Sequence, residues 1–482
     1  MGIRKNLLFS FSSGYFQLGL QFVASLFIAR LLTPGEFGIF SIAMGVIFLA
    51  DTLRNFGIVS YVIQEKDLTP ARLNTASGLN VLTSYTMAAA VVLLAGPAAR
   101  FYGEEGVRDV MWLLAVNFLL LPIGATTTAY MRRELMFKKV AAIQMANAAT
   151  SSISAVFLAY AGYSYMSLAM GNVLATVVTV VLTWRLKPAG LKIRPSLTEV
   201  RRVLGFGTLS TVTSLAGETS MRLPSLILGR VIDLESAGLF ERASSVIGLF
   251  RRLVVNGLAQ VTLPHIAAQA RKNENVVASV LLTITHLTVV GWPFFLIIAL
   301  VAPWLIPILY GDQWHDSVPL AQALCVGELF MVPFYLQWQV LVAKGRMSTQ
   351  TWLTLFGVLV RAPTLVVLAP LGLKIAVLGY AVASVFVAMV YLMVTIRVVG
   401  CRPGQLWRAL VPSLLVSFCV VLVAALTEWR MHMAHVPNLV KLLVTLCVAV
   451  AVWPLGLRLA GHPMLTELRN AMDFLASKLR SF

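Results

Sequence analysis

Long apolar stretches alternate with short polar gaps along the whole chain. Each stretch holds about 20 residues, the length that an α-helix needs to cross the hydrocarbon of a bilayer. Lipid provides no partner for open strand edges, so the spans are expected to be helices. The pattern predicts fourteen of them, at 8–31, 37–62, 77–99, 110–131, 141–161, 165–185, 205–231, 238–262, 278–302, 317–342, 349–370, 374–397, 409–427 and 438–460.

The composition supports an integral membrane protein. Of 482 residues, 59% are hydrophobic and 12% are charged, which is more apolar surface than one soluble core can bury. The net charge of +18 sits in gaps between spans rather than on a hydrophilic surface, which argues against a nucleic-acid partner. The basic N-terminal flank lacks a following small-residue cleavage site, so we predict a permanent first span.

The distribution of Lys and Arg predicts the orientation. With the N-terminus inside, the predicted cytoplasmic segments hold 25 basic residues and the outer segments hold 7. Positive charge concentrates on the cytoplasmic side of membrane proteins. Both termini are therefore expected in the cytoplasm. One missed or extra span would exchange the predicted inner and outer loops beyond it and would remove this charge difference.

One stretch of the chain occurs twice. Residues 27–58 align without a gap on residues 227–258, and Arg30 and Gly38 fall on Arg230 and Gly238. The copies are separated by six spans, so both run the same way through the membrane, as in transporters built from two parallel repeats. We predict an all-α protein with an N-lobe at 1–202 (spans 1–6), a C-lobe at 203–400 (spans 7–12), spans 13–14 at 401–460 and a tail at 461–482.

The tail is predicted to be an amphipathic helix, because its apolar residues recur at steps of three and four. It could lie on the inner membrane surface among the lipids, or it could pack against the cytoplasmic loops. The stripe consists of Leu465, Leu468, Met472, Leu475, Leu479 and Phe482.

Charged residues inside the spans are the candidate chemistry, since such residues are costly in lipid and usually face a cavity or a partner. Asp51 and Arg54 are three apart, and Glu218 and Arg222 are four apart, the spacings of helical ion pairs. These pairs could therefore bind a ligand or simply hold the helices together. The third acid inside a span is Glu328.

Arg251 and Arg252 are adjacent at mid-depth and have no acid within one turn. In the repeat alignment Asp51 falls on Arg251, so the two copies carry opposite charges at equivalent positions. Arg in surplus over acid suggests an anion, and the planar guanidinium suits phosphate. We predict substrate binding by Arg54, Arg222, Arg251 and Arg252, and ion coupling by Asp51, Glu218 and Glu328.

Other chemistry finds little support. The four cysteines lack metal-ligand spacing, and no phosphate-binding loop of the G-x-x-x-x-G-K-[ST] type is present. The sequence predicts neither a metal nor a cofactor.

Three segments resemble the signature of bacterial polysaccharide-export flippases: ARLLTPGEFGIFS (Ala29–Ser41), its echo GRVIDLESAGLFERA (Gly229–Ala243), and YGDQWHDSVPLAQAL (Tyr310–Leu324). This family belongs to the multidrug/oligosaccharidyl-lipid/polysaccharide exporter superfamily, and the chain is most similar to the colanic-acid-exporter-like branch. Members of this branch often carry an Asp in span 7. Here Pro224 stands near that place, so no cation site is carried over to it.

The resemblance implies a carrier in the bacterial inner membrane that moves undecaprenyl-pyrophosphate-linked sugar repeat units to the outer leaflet. It implies H⁺ or Na⁺ as candidate coupling ions and a polysaccharide polymerase as a candidate partner. One alternative is a drug/cation antiporter of the same architecture, which should show acid-rich cavity helices. A multi-span glycosyltransferase or polymerase would need a sizeable outer loop, and a structural scaffold would need no charges at mid-depth. We therefore expect a transporter without enzymatic activity.

Overall fold

The computed structural model describes residues 3–272 and 275–479. Every regular element in this part of the chain is helical. The helices are α1 (Ile3–Leu31), α2 (Pro34–Asn55), α3 (Ile58–Gln64), α4 (Pro70–Tyr102), α5 (Glu105–Arg133), α6 (Phe137–Tyr160), α7 (Met166–Leu186), α8 (Val200–Val231), α9 (Leu234–Phe250), α10 (Asn256–Arg271), α11 (Val277–Tyr310), α12 (Ser317–Met331), α13 (Gln337–Ala343), α14 (Met347–Leu368), α15 (Leu373–Val399), α16 (Pro403–Met433), α17 (Asn438–Leu459) and α18 (Met464–Leu479).

Twelve segments of the described chain are long and apolar enough to cross a membrane. They are α2, α4, α5, α6, α7, α9 with α10, α11, α12 with α13, α14, α15, α16 and α17, and each coincides with a predicted span. The two other predicted spans correspond to α1 and α8. The total of fourteen stays a prediction.

Contacts between helices divide the chain into two compact units, residues 1–241 and residues 242–482. In the first unit, α6 packs on α7 and on α1, α4 packs on α5, and α2 packs on α8. In the second unit, α11 packs on α12 and α16, and α15 packs on α12 and α14. The predicted lobe boundaries at 202 and 400 stay predictions.

The two copies of the repeat begin their second helix in the same way. Thr33 caps α2: its backbone N–H donates to Glu36 Oε2 at 2.8 Å, and its Oγ1 accepts from the Glu36 N–H at 3.3 Å. Two hundred residues later, Asp233 Oδ1 accepts from the Ser236 N–H at 2.7 Å, at the start of α9. Side chains of this kind satisfy backbone donors that the first helical turn leaves unpaired.

The starts of α2 and α9 touch each other backbone to backbone. A Cβ atom on Gly38 would lie 1.8 Å from the carbonyl oxygen of Leu234, and one on Gly238 would lie 2.0 Å from that of Pro34. The contact is reciprocal, because Pro34 and Leu234 are also equivalent positions of the repeat. Only glycine allows two helices to approach so closely at these positions.

Both repeat copies are also interrupted towards their C-terminal ends. In the first copy, Phe56 (φ 31°) and Gly57 (φ 68°) adopt left-handed conformations that separate α2 from α3. In the second copy, Arg251–Val255 form a turn of π-helix between α9 and α10. A π-helical turn inside an α-helix is uncommon and often marks a functional position.

The segment between α7 and α8 follows the predicted polar linker and lies against the start of α4. The Arg194 N–H donates to Asn74 Oδ1 at 2.8 Å, and the Ser196 N–H donates to the Asn74 carbonyl at 3.1 Å. A Cβ on Gly78 would lie 2.0 Å from the Ser196 carbonyl oxygen. Glycine at position 78 therefore lets the linker dock against the helix.

The C-terminal pair of long helices, α16 and α17, attaches to α11. Trp453 Nε1 donates to the Val289 carbonyl at 2.9 Å, and Thr288 Oγ1 donates to Ser413 Oγ at 2.9 Å. The predicted tail helix forms as α18. Phe482, the last residue of its predicted apolar stripe, lies outside the described residues.

Candidate functional site

In the first unit, the predicted pair Asp51 and Arg54 forms an ion pair. Arg54 Nη2 lies 2.8 Å from Asp51 Oδ1, and Arg54 Nε donates to the same oxygen at 2.9 Å. Arg54 Nη1 donates to Asn80 Oδ1 on α4 at 3.0 Å. The Arg54 side chain is buried, so the protein itself provides the partners of this cation.

The second predicted pair, Glu218 and Arg222, also comes together. Arg222 Nε lies 3.7 Å from Glu218 Oε2, and the guanidinium carbon lies 4.2 Å from the centroid of the Phe48 ring on α2. The two side chains are about one-third exposed, at 35% and 29%. Both acids that we predicted in the first unit therefore have a basic partner one helical turn away.

The second unit places Arg251 and Arg252 on the π-helical turn. Both side chains are exposed within the unit. The Arg251 guanidinium carbon lies 5.6 Å from the centroid of the Tyr335 ring. Arg252 lies back along its own helix, where a Cβ on Gly248 would be 3.5 Å from its Nη2. Among the described residues, no carboxylate forms an ion pair with Arg252.

Glu328, the third predicted coupling acid, is linked to the same tyrosine. The Tyr335 hydroxyl donates a hydrogen bond to Glu328 Oε2. The Arg251 side chain forms a hydrogen bond with Tyr335 as well. Tyr335 therefore connects a predicted substrate-binding cation with a predicted coupling acid, a link that the sequence could not reveal.

Arg361 on α14 is a further cation in this region. The sequence shows it inside a span but gives no reason to place it beside the other residues. Its guanidinium carbon lies 5.7 Å from the centroid of the Tyr380 ring on α15, and the two side chains are hydrogen bonded. Tyr380 also lies close to Glu328, because a Cβ on the preceding Gly327 would lie 3.2 Å from the Cα of Ala381.

Buried amides lie on the neighbouring helices of the second unit. The Oε1 atoms of Gln337, Gln339 and Gln350 are buried and have no hydrogen-bond partner among the described residues. Gln350 Nε2 donates to Thr354 Oγ1 at 3.3 Å, and both side chains form hydrogen bonds with Tyr391. Unpaired amide oxygens of this kind are acceptors for hydroxyl donors.

Other charges near the spans have structural partners. Arg242 is buried between two aromatic rings, with its guanidinium carbon 4.6 Å from the Tyr310 centroid and 4.5 Å from the Trp314 centroid. Glu241 accepts a hydrogen bond from Ser225 Oγ at 2.7 Å. These contacts hold helix ends together.

A cavity of about 510 Å³ lies between α11, α12, α15 and α16. Its walls include Trp292, Phe330, Phe334, Met389 and Trp407. None of its lining residues, all of them in the described part of the chain, is charged. The cavity therefore offers no cation for a phosphate, unlike the cluster around Tyr335 and Tyr380.

His462, in the loop between α17 and α18, is buried against α11 and α16. Its Nε2 lies 3.2 Å from Ser413 Oγ, and its Nδ1 accepts from the Met464 N–H at 3.1 Å. Burial, together with the nearby His286 ring, lowers the pKa of His462 to about 4. The ring is therefore neutral at physiological pH and anchors the start of the tail helix.

The charge balance inside the spans differs between the two units. Away from the helix ends, where Glu241 and Arg242 lie, two acids accompany two arginines in the first unit. In the second unit, Arg251, Arg252 and Arg361 accompany one acid, Glu328. Isolated cations inside a span are costly unless a partner or a ligand compensates them. Arginine therefore outnumbers acid in this part of the second unit.

These features define a class, the polytopic helical membrane proteins with charged groups inside the spans. Within that class the chain belongs to the polysaccharide biosynthesis protein family, whose model matches residues 27–319. The resemblance found in the sequence is thereby confirmed.

Two relatives illustrate the similarity. The lipopolysaccharide biosynthesis protein WzxC of Escherichia coli (strain K12) is 26% identical over 422 residues, 84% of this chain and 85% of that protein. The succinoglycan biosynthesis transport protein ExoT of Rhizobium meliloti (strain 1021) is 22% identical over 335 residues, 69% of this chain and 67% of that protein.

Solved structures share the fold. The lipid II flippase MurJ in an inward closed conformation has a TM-score of 0.76 at 13% identity and covers 93% of this chain and 98% of its own. A multidrug resistance MATE family transporter of the MOP superfamily, in an inward-facing conformation, has a TM-score of 0.64 at 16% identity. The match covers 82% of this chain and 98% of the transporter. At these identities the likeness concerns the fold alone.

Proposed function

We propose that the chain is a flippase for lipid-linked oligosaccharides, with an undecaprenyl-pyrophosphate-linked repeat unit as its substrate. The protein has fourteen spans in two six-helix lobes and an additional pair, with both termini in the cytoplasm of a bacterial cell. The lobes alternate in exposing a polar cavity to the two sides of the inner membrane. The polyprenyl tail stays in the lipid throughout.

One observation carries the proposal, namely the surplus of arginine inside the second unit. A diphosphate carries several negative charges, and arginine binds it through paired hydrogen bonds. Arg251 and Arg252 lie on the π-helical turn, and both side chains are exposed within the unit. Membership of the polysaccharide biosynthesis family supports the same substrate, as do relatives named for lipopolysaccharide and succinoglycan.

The sugars would meet the polar wall next to these arginines. The amide oxygens of Gln337 and Gln350 are buried and have no hydrogen-bond donor among the described residues. Sugar hydroxyls are such donors. Asp51, Glu218 and Glu328 are the acids from which a coupling site for H⁺ or Na⁺ would be drawn, and a polysaccharide polymerase would take the exported unit.

The test is depletion of the protein in its own host. We expect single lipid-linked repeat units to accumulate and surface polysaccharide to fall, with both effects reversed by a plasmid-borne copy. Lipid extracts and surface polysaccharide would be measured in the same cells. Unchanged polysaccharide together with increased drug sensitivity would contradict the proposal and favour an antiporter. Lipid-linked sugars lacking one residue would instead indicate a glycosyltransferase.

A further inference from the structure

Arg361 is a cation inside the α14 span that has no ion-pair partner in the described part of the chain. The side chain is half-buried, and among residues 3–272 and 275–479 no carboxylate forms an ion pair with it. The arginines of the first unit, Arg54 and Arg222, each have an acid one turn away. A cation at this depth without an acid usually faces a cavity or a ligand.

The packing of Arg361 leaves one of its donors unused. The guanidinium lies over the Tyr380 ring and forms a hydrogen bond with that side chain. Its Nε atom is buried and has no hydrogen-bond partner among the described residues. A buried N–H without an acceptor is unfavourable. An oxygen of an anionic ligand would satisfy it and would neutralise the charge at the same time.

Arg361 shares its surroundings with Arg251. The two residues lie on different helical elements that are linked through α12. Glu328, which is bonded to Tyr335 near Arg251, follows Gly327, and a Cβ on Gly327 would lie 3.2 Å from the Cα of Ala381, the residue after Tyr380. Glu328, the single acid there, already accepts a hydrogen bond from Tyr335. The guanidinium groups of Arg251 and Arg361 thus each lie near the ring of a tyrosine, Tyr335 and Tyr380 respectively.

We infer that Arg361 is a third anion-binding residue of the site that contains Arg251, and that Tyr380 positions its guanidinium. The ligand class is a diphosphate ester, because each forked guanidinium can bind one phosphate group and two of them can neutralise more charge than a monophosphate carries. This inference rests on the proposed function and adds to it the residue that distinguishes a diphosphate from a monophosphate.

The test uses the purified full chain in lipid nanodiscs and three short-chain prenyl probes: farnesyl diphosphate, farnesyl monophosphate and farnesol. Isothermal titration calorimetry gives the Kd of each. We expect the unchanged protein to prefer the diphosphate. Arg361→Ala should weaken diphosphate binding by about 10- to 100-fold and should remove most of the preference over the monophosphate. Arg361→Lys should retain part of the affinity.

Tyr380→Phe keeps the ring but removes the hydroxyl, and we expect a smaller, several-fold loss of the preference for the diphosphate. Arg397→Ala, which removes an exposed cation at the far end of α15, is the matched control and should bind all three probes normally. Thermal unfolding of each variant checks that the loss is not one of folding, and the two conservative variants keep the test informative if Arg361→Ala fails to fold.

The outcomes separate the two claims. If Arg361→Ala and Arg361→Lys bind the diphosphate normally while Arg251→Ala does not, the inference about Arg361 is wrong and the proposed function stands. If the unchanged protein binds farnesol as tightly as the diphosphate, the anion site itself is absent and the inference is wrong along with it.

Discussion

Arg54 Nε and Nη2 both contact one oxygen of Asp51, at 2.9 and 2.8 Å. The third guanidinium nitrogen of Arg54 donates to Asn80. This arrangement occupies all three nitrogens of the guanidinium with protein partners. The arrangement fits a structural role for both residues, whereas the sequence predicts ion coupling by Asp51 and substrate binding by Arg54, and an experiment can separate these roles.

We expect Asp51→Asn to lower the amount of protein in the membrane more than the export per molecule. Losing one partner of a largely buried pair should cost roughly 2–3 kcal/mol, below the fully buried case because the Asp51 side chain is 37% exposed. Immunoblots of membranes and assays of surface polysaccharide give both quantities. A normal protein level with export that no longer depends on the ion gradient would instead assign coupling to Asp51.

The glycine contact between the repeat copies gives a second prediction. Gly38→Ala and Gly238→Ala should each push α2 and α9 apart, because the new methyl group would overlap a carbonyl oxygen. We expect a cost of about 1–3 kcal/mol and reduced export. Gly35→Ala is the matched control, since a Cβ there meets nothing within 4 Å. Thermal unfolding in detergent would measure all three, and equal stability of the three variants would contradict the contact.

Orientation is tested by cysteine labelling. The background must first lose Cys325, Cys401, Cys419 and Cys447, of which Cys447 is exposed. Cysteines at Gly35 and Asp312 should then react with an impermeant thiol reagent in intact cells. Cysteines at Lys138 and Lys192 should react only after lysis. Labelling of Lys192 from outside would put an odd number of spans before it, and the parallel-repeat arrangement would be wrong.

The buried imidazole of His462 predicts a loss of stability in acid. The unfolded chain takes up a proton at the ordinary pKa of 6.5, whereas the folded protein resists protonation until about pH 4. The unfolded state therefore binds more protons as the pH falls below about 6.5, and folding becomes less favourable down to about pH 4. Above pH 6.5 this residue should contribute no pH dependence.

Thermal unfolding of the detergent-solubilised protein between pH 4 and 8 would measure this loss. His462→Asn should flatten the profile between pH 4 and 6.5, because the amide does not titrate. An unchanged slope in this variant would assign the acid sensitivity to another group.

The sequence predicted the spans well, because hydropathy marks the lipid-embedded part of each helix directly. It placed the starts less accurately. The third span was predicted from residue 77, whereas α4 begins at Pro70, after Thr69, whose hydroxyl accepts a hydrogen bond from the Arg72 N–H. Helices extend beyond the apolar stretch whenever a polar cap supports them, and hydropathy does not record that extension.

The candidate site was predicted only in part. Helical spacing was enough to pair Asp51 with Arg54 and Glu218 with Arg222, because partners one turn apart are local. The link from Arg251 to Tyr335 and that from Arg361 to Tyr380 join different helices, so no spacing along the chain reveals them. The π-helical turn at Arg251–Val255 likewise cannot be recognised from the residue types in that segment.

The central claim is that arginines of the second unit hold the diphosphate of the substrate. Its most direct test is export per membrane-inserted molecule for Arg251→Ala, Arg251→Lys, Arg252→Ala and Arg252→Lys, with Arg397→Ala as the control. We predict that Arg251→Ala abolishes export at a normal protein level, because one lost charge-assisted contact weakens binding by about 10- to 100-fold. Arg251→Lys should retain partial export. Arg252→Ala should lower the amount of protein in the membrane more than the export per molecule. Arg252→Lys should restore the amount of protein in the membrane. Normal export per molecule by both alanine variants would contradict the account and leave structural ion pairing as the better explanation of the charges in the spans.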